Sequence, residues 1–289
     1  MSRNLAARLV VAAVAIPAIL WIIYQGGAWL FGLVALFAVI AILEFLWAEG
    51  WRPGQVLFWI AAGTVAAVLF FIYQGGGIAD RIDPTSWYAS VVGLFLPLFF
   101  IITALYTAAG RDTADKLFVS HSRLVWGVCY VTFLYPLVYL VGEIGPGGGS
   151  GLPSGGDSLL FLLGTLWIGD TAAMGIGSAL GRRRLAPTVS PNKTVEGFIG
   201  GLLGGLAVGV LMVFWKFSTV PWYHVLLIAF GCSFFGQIGD LAESMWKRSL
   251  GIKDSSAVIP GHGGVLDRFD SLLFAAPYMY FYFRIFNLT

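Results

Sequence analysis

Between Ser244 and Asp270 the chain gathers four cations, Lys247, Arg248, Lys253 and Arg268, and three carboxylates, Asp254, Asp267 and Asp270, together with His262 and the pair Gly263-Gly264. Only 11% of the chain is charged, so this density marks a site rather than a linker. Fixed cations neutralise phosphate oxygens, and carboxylates hold a hard divalent cation that phosphates also bind. Adjacent glycines let backbone N–H groups reach an anion without an intervening side chain. The chemistry expected of this set is that of a polyphosphate substrate. His262 stands in a loop among these charges and suits a phosphate hydrogen bond, a proton transfer or a turn contact.

A second set lies upstream. Ser190-Pro191-Asn192-Lys193-Thr194 offers a proline able to begin a helix, short polar side chains able to cap it, and a lysine point charge near helix N–H groups, which together favour phosphate. Glu196 is an ambiguous capping residue, and Arg182–Arg184 reads first as an anchor at an anionic membrane surface. Ahead of the first set, Ser233, Gln237, Asp240, Ser244 and Lys247 recur at spacings of four and three, which places them on one helix face. A carboxylate at membrane depth is costly unless it is paired, ligates a metal or borders water. Asp240, one helix away from Asp267 and Asp270, is therefore expected to ligate a metal. Asp170, between Gly169 and Thr171, is either a site residue or a buried polar group bonded to its own helix.

These residues must be positioned by membrane-spanning elements. The chain of 289 residues is 58% hydrophobic, with a mean hydropathy of +0.84, more than a soluble domain of that size can bury. Apolar segments at about 9–24, 28–47, 55–73, 88–106, 124–141, 158–179, 198–215, 223–243 and 271–286 predict an all-α polytopic bundle of about nine transmembrane helices. The first has a basic flank like a secretory leader, but its length and the charge pattern favour a retained span. Of the 17 Lys and Arg residues, 14 fall on alternate connections, the exceptions being Arg81, Lys216 and Arg284. By the positive-inside rule the N-terminus is expected to be cytoplasmic. The expected division is 1–123 as N-terminal spans and 124–289 as C-terminal spans, with cytoplasmic catalytic loops at 180–197 and 244–270. Residues 145–156 read as a flexible external loop. Cations scattered over separate loops give no basic face for nucleic acid. Cys129 and Cys232 lie in apolar runs and suggest neither a disulfide nor a zinc site. Glycines 197, 200, 201, 204, 205 and 209 read as a close-packing helix face, and glycine-rich faces of this kind allow a homodimer. Glu44 and Glu243 read as interfacial or structural.

The motif residues Ser244, Lys247-Arg248, Lys253-Asp254, Pro260-Gly261-His262-Gly263-Gly264 and Asp267-Arg268-x-Asp270, with Asp170-Thr171-Ala172-Ala173 and Ser190-Pro191-Asn192-Lys193-Thr194-x-Glu196-Gly197, resemble the two signature regions of the phosphatidate cytidylyltransferases. The likeness covers roughly residues 165–275; Trp246 and Met174 depart from the residues usual there. The resemblance implies a nucleotidyltransferase of the cell membrane that joins CTP and phosphatidate of the inner leaflet into CDP-diacylglycerol and pyrophosphate. It assigns Asp170 to the site. On this reading Asp240 and Asp267 hold Mg2+ on the triphosphate, with Asp170 or Asp270 contributing a further contact and room for a second metal ion. Lys193, Lys247, Arg248, Lys253 and Arg268 then share the phosphates, with Asn192, Ser244, Asp254, Gly263 and Gly264 lining the substrates and His262 beside the chemistry. The alternatives are a CTP-dependent lipid kinase, a cytidylyltransferase of an isoprenoid lipid phosphate, and a transporter using Asp170 and Asp240 as a path. No Gly-x-Ser-x-Gly, His-Glu-x-x-His or P-loop pattern is present.

Overall fold

A computed structural model describes residues 16–76, 83–110, 112–144, 154–256 and 263–288. The described chain is a bundle of α1 (Ile16–Gln25), α2 (Gly27–Ala48), α3 (Val56–Gly76), α4 (Pro84–Ala108), α5 (Ala114–Gly142), α6 (Gly155–Leu180), α7 (Val195–Trp215), α8 (Trp222–Ser249) and α9 (Leu266–Ile285). One hairpin, β1 (Arg184–Ala186) and β2 (Ser190–Thr194), interrupts the helices. Seven helices, α2 to α8, are long and apolar enough to cross a membrane, since about 20 residues at 1.5 Å each span about 30 Å of hydrocarbon. Large apolar side chains point outward along them, among them Leu105, Phe118 and Phe214. This is a multi-pass membrane protein. Residues 9–15 of the first expected span lie outside the described residues.

α9 falls short of the apolarity of the other spans because it carries Asp267, Arg268, Asp270 and Arg284 and several tyrosines. It tolerates them by packing chiefly on α8 and α5, which keeps much of its surface away from lipid. α5 is the most enclosed of the seven apolar helices and touches α2, α3, α4, α6 and α9. The N-terminal and C-terminal spans thereby share one apolar core.

Three local expectations change. Gly155 and Gly156, read as loop, form the first turn of α6, which starts with a capping box between Ser154 and Asp157. Residues 145–153 of that expected loop lie outside the described residues. Helix α8 runs to Ser249 rather than ending near 243, so it carries Ser244 and Lys247, as the stripe of spacings expects, and the connection begins later than residue 244. The segment 190–194, read as a helix start, is a strand paired antiparallel with β1, Arg184 facing Thr194 and Ala186 facing Ser190. Pro191 costs little there, because a two-stranded ribbon leaves half its N–H positions without a ladder partner. The helix begins only after Thr194, whose Oγ1 accepts from Gly197 N at 3.0 Å.

Among the described residues, cations stand at both ends of the bundle. Opposite the motif end, Lys216 pairs with Asp157 at 3.2 Å, and Arg284 pairs with Asp83. At the motif end Arg123 pairs with Glu49 at 3.4 Å.

Candidate active site

The polar stripe of α8 faces α7, and the glycines of α7 make that approach close. Ser233 Oγ donates to Gly201 O at 2.9 Å, and Gln237 Nε2 donates to Phe198 O at 3.2 Å. A Cβ on Gly205 would lie 2.7 Å from that of Ser233, and one on Gly204 2.7 Å from that of Ala172 on α6. Helix α7 is thus a thin layer between α6 and α8, as its small-residue spacing predicts. Its glycines are consumed inside the bundle and present no face to a second copy.

The hairpin folds back over the end of this layer. Val195 N donates to Arg183 O at 2.9 Å, and Glu196 Oε2 accepts from the backbone N–H groups of Arg182 and Arg183 at 3.0 and 3.2 Å, which resolves its ambiguous role. Lys193 then reaches α8: its Nζ lies 2.6 Å from Asp240 Oδ2, while Asp240 Oδ1 accepts from Ser244 Oγ at 3.3 Å. Around this pair is a cavity of about 700 Å³ whose walls include Asp170, Arg184, Asn192, Lys193, Gln237 and Asp240. A second cavity, of about 450 Å³, is walled by apolar side chains of α1, α2, α5 and α6, with Asp170, Asp267, Arg268 and Asp270 among its lining. Asp170 is the residue common to both linings among those described. Asp170, Asp240 and Asp270, from α6, α8 and α9, act on one another electrostatically.

The expected signature loop is held by its own carboxylates. Asp267 Oδ2 accepts from Gly264 N at 2.8 Å, Ser255 N at 2.9 Å and Ser255 Oγ at 3.0 Å, and its Oδ1 accepts from Lys247 Nζ at 2.7 Å. The anion that Gly264 N–H approaches is therefore part of the chain. Lys247 lies between Asp267 and Glu243, whose Oε2 is 2.6 Å away, and all three side chains are largely withdrawn from solvent. Arg248 donates to Val189 O at 3.3 Å and Ile252 O at 3.0 Å, tying the hairpin to the end of α8. Lys253, Asp254, Asn192 and Arg268 are exposed. His262 lies outside the described residues.

Two residues without a motif signal complete the arrangement. Glu44 of α2 is buried, and it accepts from Ser255 Oγ, Ser256 Oγ, Val265 N and Leu266 N at 3.2, 2.7, 2.9 and 3.0 Å. Nothing local in the sequence connects it to a loop more than two hundred residues away; its burial in an apolar helix was the only available sign. Trp246 donates its indole N–H to Glu49 Oε1 at 2.8 Å and stacks on Phe45 at 5.0 Å between ring centroids. This departure from the family pattern joins α8 to α2. Met174, the other departure, is exposed and lines the larger cavity beside Lys193.

The sequence matches the cytidylyltransferase family over residues 6–286. It is similar to the phosphatidate cytidylyltransferase of Staphylococcus saprophyticus, with 33% identity over 271 residues, 93% of this chain and 95% of the relative. That of Staphylococcus haemolyticus is 32% identical over 270 residues, with the same two shares, 93% and 95%. The phosphatidate cytidylyltransferase of Bacillus subtilis is 46% identical over 122 residues, 42% of this chain and 45% of the relative. With a match that runs nearly end to end and takes in both cavities, the chain belongs to the cytidylyltransferase family.

Proposed function

We propose that the chain joins CTP to phosphatidate, giving CDP-diacylglycerol and pyrophosphate, with the lipid in the apolar-walled cavity and the nucleotide in the polar one. The observation that carries this reading is Asp170, whose side chain lines both cavities, so that two unlike substrates meet at one carboxylate. The lipid phosphate brings its own negative oxygen, which attacks the α-phosphorus of CTP. The bond from that phosphorus to the β-bridging oxygen breaks, and pyrophosphate carries the electron pair away. No strong base is required; alignment and charge neutralisation supply the rate.

Arg268, in the wall of the apolar cavity, is placed to meet the lipid phosphate. Lys193, with Arg184 and Asn192 in the polar cavity, is placed to meet the triphosphate. Mg2+ would be held by Asp240 with Asp170 and Asp270, hard oxygen donors from three helices whose mutual repulsion a cation relieves. Among the described residues no three such groups already converge as ligands around one point, and Asp240 is paired with Lys193. Asp267, expected as the second ligand, fits less well because four donors already occupy its two oxygens. At that place Mg2+ would neutralise part of the polyphosphate charge. Lys193, which lines the same cavity as Asp240, would offer its ammonium to a phosphate oxygen. The motif end, with the cationic excess, faces the cytoplasm and the inner leaflet.

Purified protein incubated with CTP, phosphatidate and Mg2+ should yield CDP-diacylglycerol and pyrophosphate in equal amounts. Release of CDP with a newly phosphorylated lipid would replace this reading with a kinase.

A further inference from the structure

We infer that Glu44, in the N-terminal spans, is a positioning residue for the reaction: it caps α9 from another helix and thereby sets where Asp270 stands relative to Asp240 and Asp170. This rests on the function proposed above. Helix α9 begins at Leu266 with no capping side chain of its own. The first N–H groups of a helix need acceptors, and the positive end of its dipole favours an anion. Glu44 supplies both, taking Val265 N on Oε1 at 2.9 Å and Leu266 N on Oε2 at 3.0 Å. The same carboxylate takes the hydroxyls of Ser255 and Ser256, so it binds the chain on both sides of residues 257–262.

The fit is close. A Cβ on Gly264 would lie 2.6 Å from Glu44 Oε2, so the glycine is what lets the carboxylate in. Asp270 lies one helical turn beyond the capped N–H groups, and a shift of α9 at its start is passed to Asp270 with little loss. Displacements of about 1 Å cost about 100-fold in rate where alignment supplies the catalysis. A carboxamide cannot replace the carboxylate, since one of its two ends is a donor and would face donors.

The test is steady-state kinetics of Glu44→Gln and Glu44→Asp in detergent, each normalised to the monodisperse folded fraction, with both substrates varied. Glu44→Gln should lower kcat by about 10- to 100-fold, with KM for CTP and for phosphatidate each within about threefold of wild type. Glu44→Asp keeps the charge, retracts it by one methylene and should show a smaller loss of the same kind. Its kinetics decide the matter if the glutamine variant does not fold. Wild-type kcat per folded molecule in the variant that folds overturns the inference, because a merely structural role changes the amount of folded protein and not its turnover. A loss confined to KM overturns it as well. If wild-type protein itself forms no CDP-diacylglycerol, the proposed function fails, whatever the variants do.

Discussion

Lys193 Nζ sits 2.6 Å from Asp240 Oδ2, an ion pair that fastens a surface hairpin to the motif end of a membrane helix. Both side chains are partly open to solvent and both line the polar cavity, while the Lys193 ammonium nitrogen itself is covered. The same carboxylate is the one proposed above to hold Mg2+.

Asp240→Asn should accordingly abolish turnover, a loss of about 1,000-fold or more, while the protein remains folded and inserted. Wild-type activity should vanish with EDTA and return with Mg2+. Asp267→Asn, by contrast, removes a loop clamp and should lower the thermal midpoint along with activity. Activity of Asp240→Asn near the wild-type level at ordinary Mg2+ would remove that residue from the metal site.

Lys247 and Lys253 separate by environment. Lys247 is held by Glu243 and Asp267. Lys247→Met would leave two buried carboxylates without their cation, which costs about 3–5 kcal/mol, and thermal unfolding in detergent should register it. Lys253 is exposed in the loop after α8. Lys253→Ala should leave the melting temperature unchanged and lower kcat/KM by about 100-fold, the scale of one aimed contact of about 3 kcal/mol. A Lys253 variant that melts early but turns over normally would invert this assignment.

Arg182, Arg183 and Arg184 differ again. Their backbone N–H groups or carbonyls fix the hairpin, while their side chains are exposed. Neutralising Arg182 or Arg183 singly should cost much less than Lys253→Ala, and the cost should shrink in anionic lipid. Arg184 lines the polar cavity and should cost more than either neighbour. Equal losses at all three positions would contradict the distinction.

Single cysteines at Thr188 and Ser218 should label from opposite sides of the membrane with an impermeant reagent. Thr188 lies in the hairpin turn before α7 and Ser218 after its far end, and the 21 residues between those ends span about 30 Å. Labelling of Thr188 from the cytoplasmic side places the site there; labelling from the other side reverses the orientation.

Much of this arrangement was legible in the sequence because it follows helix periodicity. Ser233, Gln237, Asp240 and Ser244 form one stripe on α8, and the glycines of α7 form the surface that receives its upper part. Asp170 stood out because a carboxylate in an apolar span needs a reason. What escaped was contact between distant segments. Lys247 looked like a phosphate ligand because its type was visible, while its pairing with Asp267 on another helix was not, and Glu243 four residues before it read as structural. The hairpin escaped because Pro191 and the short polar residues around it suit a helix start equally well. Glu44 looked structural, and only the fold reveals that the structure it supports is the start of α9.

The glycine layer of α7 has an evolutionary consequence. Distances between catalytic groups are usually adjustable in small increments, by trading one side chain for a slightly different one. Here the separation of α6 from α8 is governed by positions 204 and 205, where the smallest available increment is a whole methyl group that would lie 2.7 Å from the Cβ of Ala172 or of Ser233. Drift at these positions is coarse and costly. Diversification of substrate preference in descendants of this chain would therefore be expected to begin elsewhere, in the apolar walls contributed by α1 and α2, where side chains can be exchanged without prising two helices apart.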